Sequence, residues 1–88
     1  MKRNKDYIMR TIAGETLLVP TGAAARDFSG LVTLNELGAF IWNHLDESAG
    51  PEELVSRILA EYDVDAATAR ADTKEFLALL ESRGMAEL

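Results

Sequence analysis

The apolar positions of this chain follow a two-residue period near its start and a helical period later. Residues 7–13 alternate loosely, residues 16–19 resume the pattern, and Pro20 ends it because proline cannot donate to a strand ladder. Gly14-Glu15 between them favours a tight two-residue turn, since glycine tolerates the positive φ that such turns need. The pattern predicts a β-hairpin.

A short third strand and a first helix are predicted next. A loop rich in glycine and alanine over residues 21–27 precedes a strand over residues 28–33. The helix begins near Thr33, which has capping-box spacing to Glu36, and Asn35 is an alternative cap. Its apolar face is Leu37, Phe40, Ile41 and Leu45. Gly38 within it costs about 1 kcal/mol relative to alanine, so we expect another part of the chain to pack closely there.

Two further helices complete the pattern. Pro51 suits the first position of the second helix, Asp65 caps the third, and Gly84 ends it in a left-handed conformation. Three strands followed by three helices predict an α+β fold, a winged helix-turn-helix-like domain with a three-stranded antiparallel sheet and a three-helix bundle. The apolar faces are Leu54, Val55, Ile58, Leu59 and Tyr62 for the second helix, and Ala69, Thr73, Phe76, Leu77 and Leu80 for the third.

Length and charge narrow the function classes. The chain has 88 residues and a formal net charge of −6, which predicts one domain over residues 1–88 that does not bind nucleic acid. We interpret residues 1–6 as a flexible end, although their basic side chains could bind an acidic partner. The chain has no cysteine, no signal-peptide pattern and no long apolar run, which favours the cytoplasm and no membrane contact.

No catalytic, metal or cofactor site is predicted. The one histidine, His44, is followed by Asp46 and Glu47, and we interpret it as a half-exposed side chain at the negative end of a helix dipole rather than as a ligand. No serine lies in a nucleophile-elbow pattern, and no glycine-rich phosphate loop is present. Trp42 is interpreted as a core or subunit-contact residue.

A second line of residues on the third helix suggests a binding channel. Ala67, Ala71, Lys74 and Ala78 have i, i+4, i+7, i+11 spacing, and Arg70 lies alongside. Small side chains leave space beside an edge strand, which can accept an extended peptide by strand addition. The alternative is ordinary surface alanine in a helix, because alanine is a good helix former.

The ordered motifs resemble those of the pyrroloquinoline quinone biosynthesis protein D (PqqD) family. They are LeuAsnGluLeuGlyAlaPheIleTrp from Leu34, ProGluGluLeuValSerArgIleLeuAlaGluTyr from Pro51, and AspThrLysGluPheLeuAlaLeuLeuGluSerArgGlyMet from Asp72. The loop over residues 21–27 and the following PheSerGly depart from PqqD itself and are more similar to the broad PqqD-like group.

The resemblance implies a non-catalytic adaptor that binds the leader of a ribosomally synthesised precursor peptide. The leader adds as a strand and is presented to a modifying enzyme, often a radical S-adenosylmethionine enzyme. A winged-helix DNA-binding regulator and a structural homodimer remain as alternatives. By position, the implied strand wall is Leu31, Val32 and Thr33, and the implied helix wall is Ala67, Arg70, Ala71, Lys74 and Ala78.

Overall fold

A three-stranded sheet and three helices dominate the computed structural model, which describes residues 1–22 and 31–88. Strands β2, β3 and β4 form the antiparallel sheet in that order, and β1 pairs with β5. The predicted α+β arrangement is therefore confirmed. The elements are β1 (Lys2–Arg3), β2 (Tyr7–Ile12), β3 (Glu15–Pro20), β4 (Val32–Leu34), α1 (Glu36–His44), α2 (Pro51–Glu61), α3 (Ala66–Ser82) and β5 (Ala86–Glu87).

The turn of the β2–β3 hairpin lies one residue earlier than the sequence pattern predicts. Ile12 pairs with Glu15, so the two central residues are Ala13 and Gly14. Both have positive φ, 52° and 83°, as a hairpin turn with two left-handed central residues requires. The prediction of Gly14-Glu15 was wrong because the glycine occupies the second central position and Glu15 already belongs to β3.

The start of α1 is fixed by Asn35 rather than by Thr33. The Asn35 side chain accepts a hydrogen bond from the Gly38 amide at 2.8 Å. Thr33 is unavailable for this role because it lies inside β4, opposite Leu17. The alternative cap is thus confirmed and the Thr33 capping box was wrong. The earlier part of the predicted third strand and most of the preceding loop fall on residues 23–30, outside the described residues.

The boundaries of α2 and α3 agree with their sequence signals. Pro51 is the first residue of α2, where its missing N–H costs nothing. Asp65 caps α3 by accepting from the Thr68 amide at 2.7 Å. Gly84 follows α3 with a φ of 69°. Local sequence therefore decides where these two helices begin and where α3 ends.

The core joins one face of the sheet to all three helices. Leu18 of β3 and Ile41 of α1 are fully buried. Gly38 allows a close helix contact, because a Cβ atom at this position would lie 3.3 Å from the Phe76 ring. This confirms the expected close packing at Gly38. The core also contains Val32, Leu34, Trp42, Leu45, Leu54, Val55, Ile58, Ala69, Leu77, Leu80, Met85 and Ala86.

The two ends of the chain are paired, in contrast to the flexible end that we expected for residues 1–6. Lys2 pairs with Glu87 and Arg3 with Ala86. The Arg3 amide donates to Asp46 at 2.7 Å, and this backbone hydrogen bond lowers the pKa of the Asp46 carboxyl. The expectation was wrong for Lys2 and Arg3 because their strand partners lie more than eighty residues away, where no local pattern can indicate them.

Candidate functional site

A groove of about 650 Å³ lies between α1 and α3. One wall is formed by the start of α1 and the residue that precedes it, and the other by one side of α3. Apolar side chains make up much of the lining. We call this cavity the α1–α3 groove; it is lined by Asn35, Leu37, Gly38, Ile41, Asp72, Glu75, Phe76, Ala78, Leu79 and Ser82.

The two walls of the α1–α3 groove approach each other closely at Gly38. Phe76 packs on the backbone of Gly38, so the two helices meet at this level. Leu37, Phe76 and Leu79 are each only partly buried, although all three pack against the core. Partly exposed apolar side chains in a concave site provide a surface that another apolar group can cover.

Within residues 1–22 and 31–88, strand β4 is an edge strand of the sheet with no partner on its outer side. It is the last strand of the β2–β3–β4 sheet in the described part of the chain, and Asn35 of the groove follows it directly. Such an edge presents backbone donors and acceptors that a further strand can pair with. Asn35 therefore connects the end of this edge strand to the α1–α3 groove, whose described lining contains no residue of β4 itself.

The strand register identifies which backbone groups face outward. A two-residue hairpin makes Ile12 and Glu15 a hydrogen-bonded pair, and such pairs alternate along antiparallel strands. Thr16 and Leu18 consequently direct their backbone groups towards β4, where they oppose Leu34 and Val32. The alternation leaves the N–H and C=O of Thr33 pointing away from the sheet.

The structure distributes the predicted strand residues over two faces. Val32 is 8% exposed and belongs to the core, whereas Leu31 is 52% exposed. Thr33 is also exposed. The side chain of Val32 thus points away from the exposed face, and its contribution to a binding edge is limited to its backbone.

The predicted helix residues are also divided. Ala78 lines the α1–α3 groove, whereas Ala67, Ala71 and Lys74 are exposed and are absent from its lining. Arg70 lies on the side facing α2, where its guanidinium donates to Glu52 at 2.9 Å. The side-chain hydrogen bond from Arg70 lowers the pKa of the Glu52 carboxyl. Arg70 is therefore already engaged within the fold.

Comparison with protein families gives one decisive match. The sequence model described as coenzyme PQQ synthesis protein D (PqqD) matches residues 8–86, nearly the whole chain. The chain belongs to the PqqD family. The resemblance inferred from the ordered motifs is confirmed. A comparison with curated proteins found no match.

Two solved structures share the fold of this PqqD-family chain. TbiB1 in complex with the TbiA(beta) leader peptide is 31% identical, with a TM-score of 0.74, and the alignment covers 99% of this chain and 95% of that one. Lasso peptide synthetase B1 complexed with the leader peptide is 20% identical, also with a TM-score of 0.74, and the alignment covers 98% and 95%. Both alignments extend over almost the entire length of each chain.

Sequence reasoning about this PqqD-family chain missed most of the groove lining. The missed stripe on α3 lies beside the predicted one and is rotated towards α1. Its helical spacing was visible in the sequence, but its partly apolar members were assigned to the core or to ordinary surface. The α3 residues that were not predicted are Asp72, Glu75, Phe76, Leu79 and Ser82.

His44 takes part in a surface network outside the groove. Its Nδ1 atom contacts the Glu47 carboxylate, and its ring lies 4.3 Å from that of Phe40. This hydrogen bond lowers the pKa of Glu47. Residues 1–22 and 31–88 contain no cluster of histidine and acidic residues suited to a metal ion, and none of their helices has the length and hydropathy to cross a membrane.

Proposed function

We propose that this chain is a non-catalytic adaptor that captures the leader of a ribosomally synthesised precursor peptide and presents it to a modifying enzyme. The observation that carries the proposal is that Asn35, which lines the α1–α3 groove, directly follows the edge strand β4. An edge supplies backbone hydrogen bonds, and the adjacent cavity receives side chains. Together they provide the two components of peptide recognition by strand addition.

Strand addition would begin at Thr33, whose outward N–H and C=O have the correct direction to pair with a peptide backbone. Successive side chains of an extended peptide point to opposite faces. Alternate side chains of the leader would therefore enter the groove between Leu37 and Leu79, while the others face solvent. The backbone ladder supplies affinity that depends little on sequence, and the groove supplies selectivity.

The relatives support this class of ligand. TbiB1, which is 31% identical over nearly the whole chain, was solved with the TbiA(beta) leader peptide. Membership of the PqqD family supports the same role in peptide maturation. In our proposal the adaptor acts in the cytoplasm, and the enzyme that modifies the precursor is a separate partner, for which a radical S-adenosylmethionine enzyme is our candidate.

The proposal can be tested by isothermal titration with the synthetic leader of a short precursor encoded beside this protein. We expect saturable one-to-one binding in the micromolar range. Ala78→Trp should fill the groove and weaken binding more than about tenfold, a change of about 1.4 kcal/mol. Circular dichroism should show that the variant is folded, because Ala78 is an exposed position on α3.

Ala71→Trp is the matched control for this experiment. It places the same bulky side chain on the same helix, at an exposed position outside the groove lining. Its affinity should stay close to that of the parent protein. Equal binding by Ala78→Trp and the parent would contradict the groove assignment, and no binding of neighbouring leaders by the parent would contradict the adaptor function itself.

The same open edge also makes a homodimer a second proposal. Two copies could pair through β4, because an unpaired strand edge accepts any compatible strand. Sedimentation over a range of protein concentrations measures this association. A dimer that dissociates when the leader is added would show that both partners use β4, whereas a dimer that binds the leader without dissociating would place self-association elsewhere.

A further inference from the structure

The charged residues in the described lining of the α1–α3 groove are all acidic. Among the ten described residues of its lining, the two with ionisable side chains are Asp72 and Glu75. Both are exposed, and they lie three positions apart on α3, so their side chains occupy neighbouring places on one helix face. Within the described part of the chain, the ion pairs use Asp46, Glu47, Glu52 and Glu53 instead.

The basic residues of α3 that we expected to bind a leader lie elsewhere. Arg70 is paired with Glu52 of α2, and Lys74 is absent from the groove lining. Their positive charges thus lie outside the lining that the structure describes, and this described lining contains no counter-charge for the two carboxylates. The negative charge of Asp72 and Glu75 would repel the phosphate backbone of DNA, so the described lining gives the DNA-binding alternative no support.

We propose that the α1–α3 groove selects an extended leader with a lysine or arginine beside an apolar side chain, and that Asp72 and Glu75 determine this selectivity. The apolar side chain covers Leu37, Phe76 and Leu79. The cation lies along the α3 wall, within reach of both carboxylates. This inference rests on the proposed leader-binding function and adds a charge requirement to it.

The magnitude of the effect follows from the exposure of these carboxylates. Exposed ion pairs contribute modestly, and their attraction is weakened by salt. The net charge of −6 also attracts a cationic segment over a longer range. Asp72 and Glu75 should therefore determine which leaders bind and how quickly, while the backbone ladder and apolar contacts provide most of the affinity.

This charge preference differs from the one that Lys74 and Arg70 would give. These two basic residues would favour an acidic leader if the stripe of Ala67, Ala71, Lys74 and Ala78 formed the groove wall. The structure leaves Ala67, Ala71 and Lys74 outside the described lining, whereas Asp72 and Glu75 line the groove together with Ala78. A leader that depends on Lys74 would contradict the present inference.

The experiment compares charge variants of the protein against the same synthetic leader by isothermal titration. Asp72→Asn combined with Glu75→Gln should weaken binding about fivefold, and Glu75→Lys about tenfold, as expected for the loss and the reversal of exposed pairs. The matched control is Glu81→Lys, which has the same change of charge on α3 but lies outside the groove lining. Its affinity should stay within about twofold of the parent's.

A second set of peptides tests the leader side. Each lysine and arginine of the leader is replaced in turn by glutamine, and at least one of these replacements should weaken binding to the parent protein. The same replacement should change the affinity for the Asp72→Asn, Glu75→Gln variant very little. Raising sodium chloride from about 0.05 M to about 0.5 M should weaken the parent complex more than the complex of this variant.

The outcomes separate this inference from the proposed function. Suppose that the leader binds tightly and that Ala78→Trp weakens this binding. If Glu75→Lys and Glu81→Lys then change the affinity by the same factor, the adaptor function is retained and the charge requirement is overturned. A leader that binds tightly without any lysine or arginine would also overturn it. Absence of leader binding by the parent protein would overturn both proposals.

Discussion

The two sides of α3 perform different tasks. On one side α3 packs along α2, where Leu77 and Leu80 are buried with Val55 and Ile58 in the core. On the other side it meets α1 closely at Gly38 and otherwise leaves the α1–α3 groove open. The difference teaches that one helix can hold the fold together and also recognise a ligand, because its faces are occupied by separate sets of residues.

The largest effect is expected on the packed side. Leu77 is 2% exposed, and Leu77→Ala should lower the free energy of unfolding by about 2–5 kcal/mol, because a buried side chain is removed and a cavity remains. Urea denaturation followed by circular dichroism measures this loss. Leu79→Ala on the groove side is the comparison, with a smaller loss of stability and a direct loss of leader affinity.

The opposite outcome would contradict the assignment of stability to one side of α3 and of leader binding to the other. If Leu79→Ala destabilised the protein as much as Leu77→Ala, the groove side would also be part of the packed core. If Leu77→Ala abolished leader binding in the fraction that stays folded, the packed side would contribute to recognition.

A smaller effect is expected at the open edge. Thr33→Pro removes an outward N–H without breaking the β3–β4 ladder, since the Val32 and Leu34 positions carry the bonds to β3. Losing one backbone hydrogen bond should weaken leader binding about fivefold, within the range of about 0.5–1.5 kcal/mol for such a bond. Titration of the purified variant measures the change.

Thr33→Ala controls for the lost side chain, because it retains the amide. We expect it to bind the leader nearly as well as the parent. Equal binding by Thr33→Pro and Thr33→Ala would show that the leader does not pair with β4 at this residue.

The smallest effect is expected at the N-terminus of α3, which positions both sides of the helix. The backbone hydrogen bond from Thr68 lowers the pKa of Asp65 below its ordinary value of 3.8. A lowered folded-state pKa gives stability that is present above the ordinary pKa and is lost as pH falls through the folded-state pKa. Asp65→Ala should therefore be less stable than the parent at pH 7, and the difference should shrink in acid.

Chemical denaturation of both proteins at neutral pH and below pH 3 measures this difference. If the difference in unfolding free energy between the two proteins stays constant across this pH range, the Asp65 charge does not contribute to the cap. Leader affinity at neutral pH should change little, because the exposed cap lies outside the groove lining.

Most of the fold, but little of the groove, follows from the sequence pattern. Pro51, Asp65 and Gly84 mark helix boundaries through backbone chemistry that acts within a few residues. The hairpin was located correctly, with an error of one residue in its turn. The pairing of Arg3 with Ala86 was missed because it joins distant parts of the chain. Ala78 is the predicted α3 residue that lines the groove.

The sequence by itself determined the order of the hairpin, the third strand of the sheet and the three helices, the residues that share each helix face, and the family. Helical periodicity predicts that Ala78 lies near Lys74, but it does not predict which side of α3 faces β4 and α1. Only the tertiary structure decided that Arg70 turns to Glu52 and that Asp72 and Glu75 turn to the groove. The physical reason is that the rotation of a helix is set by packing of its whole buried face against distant partners.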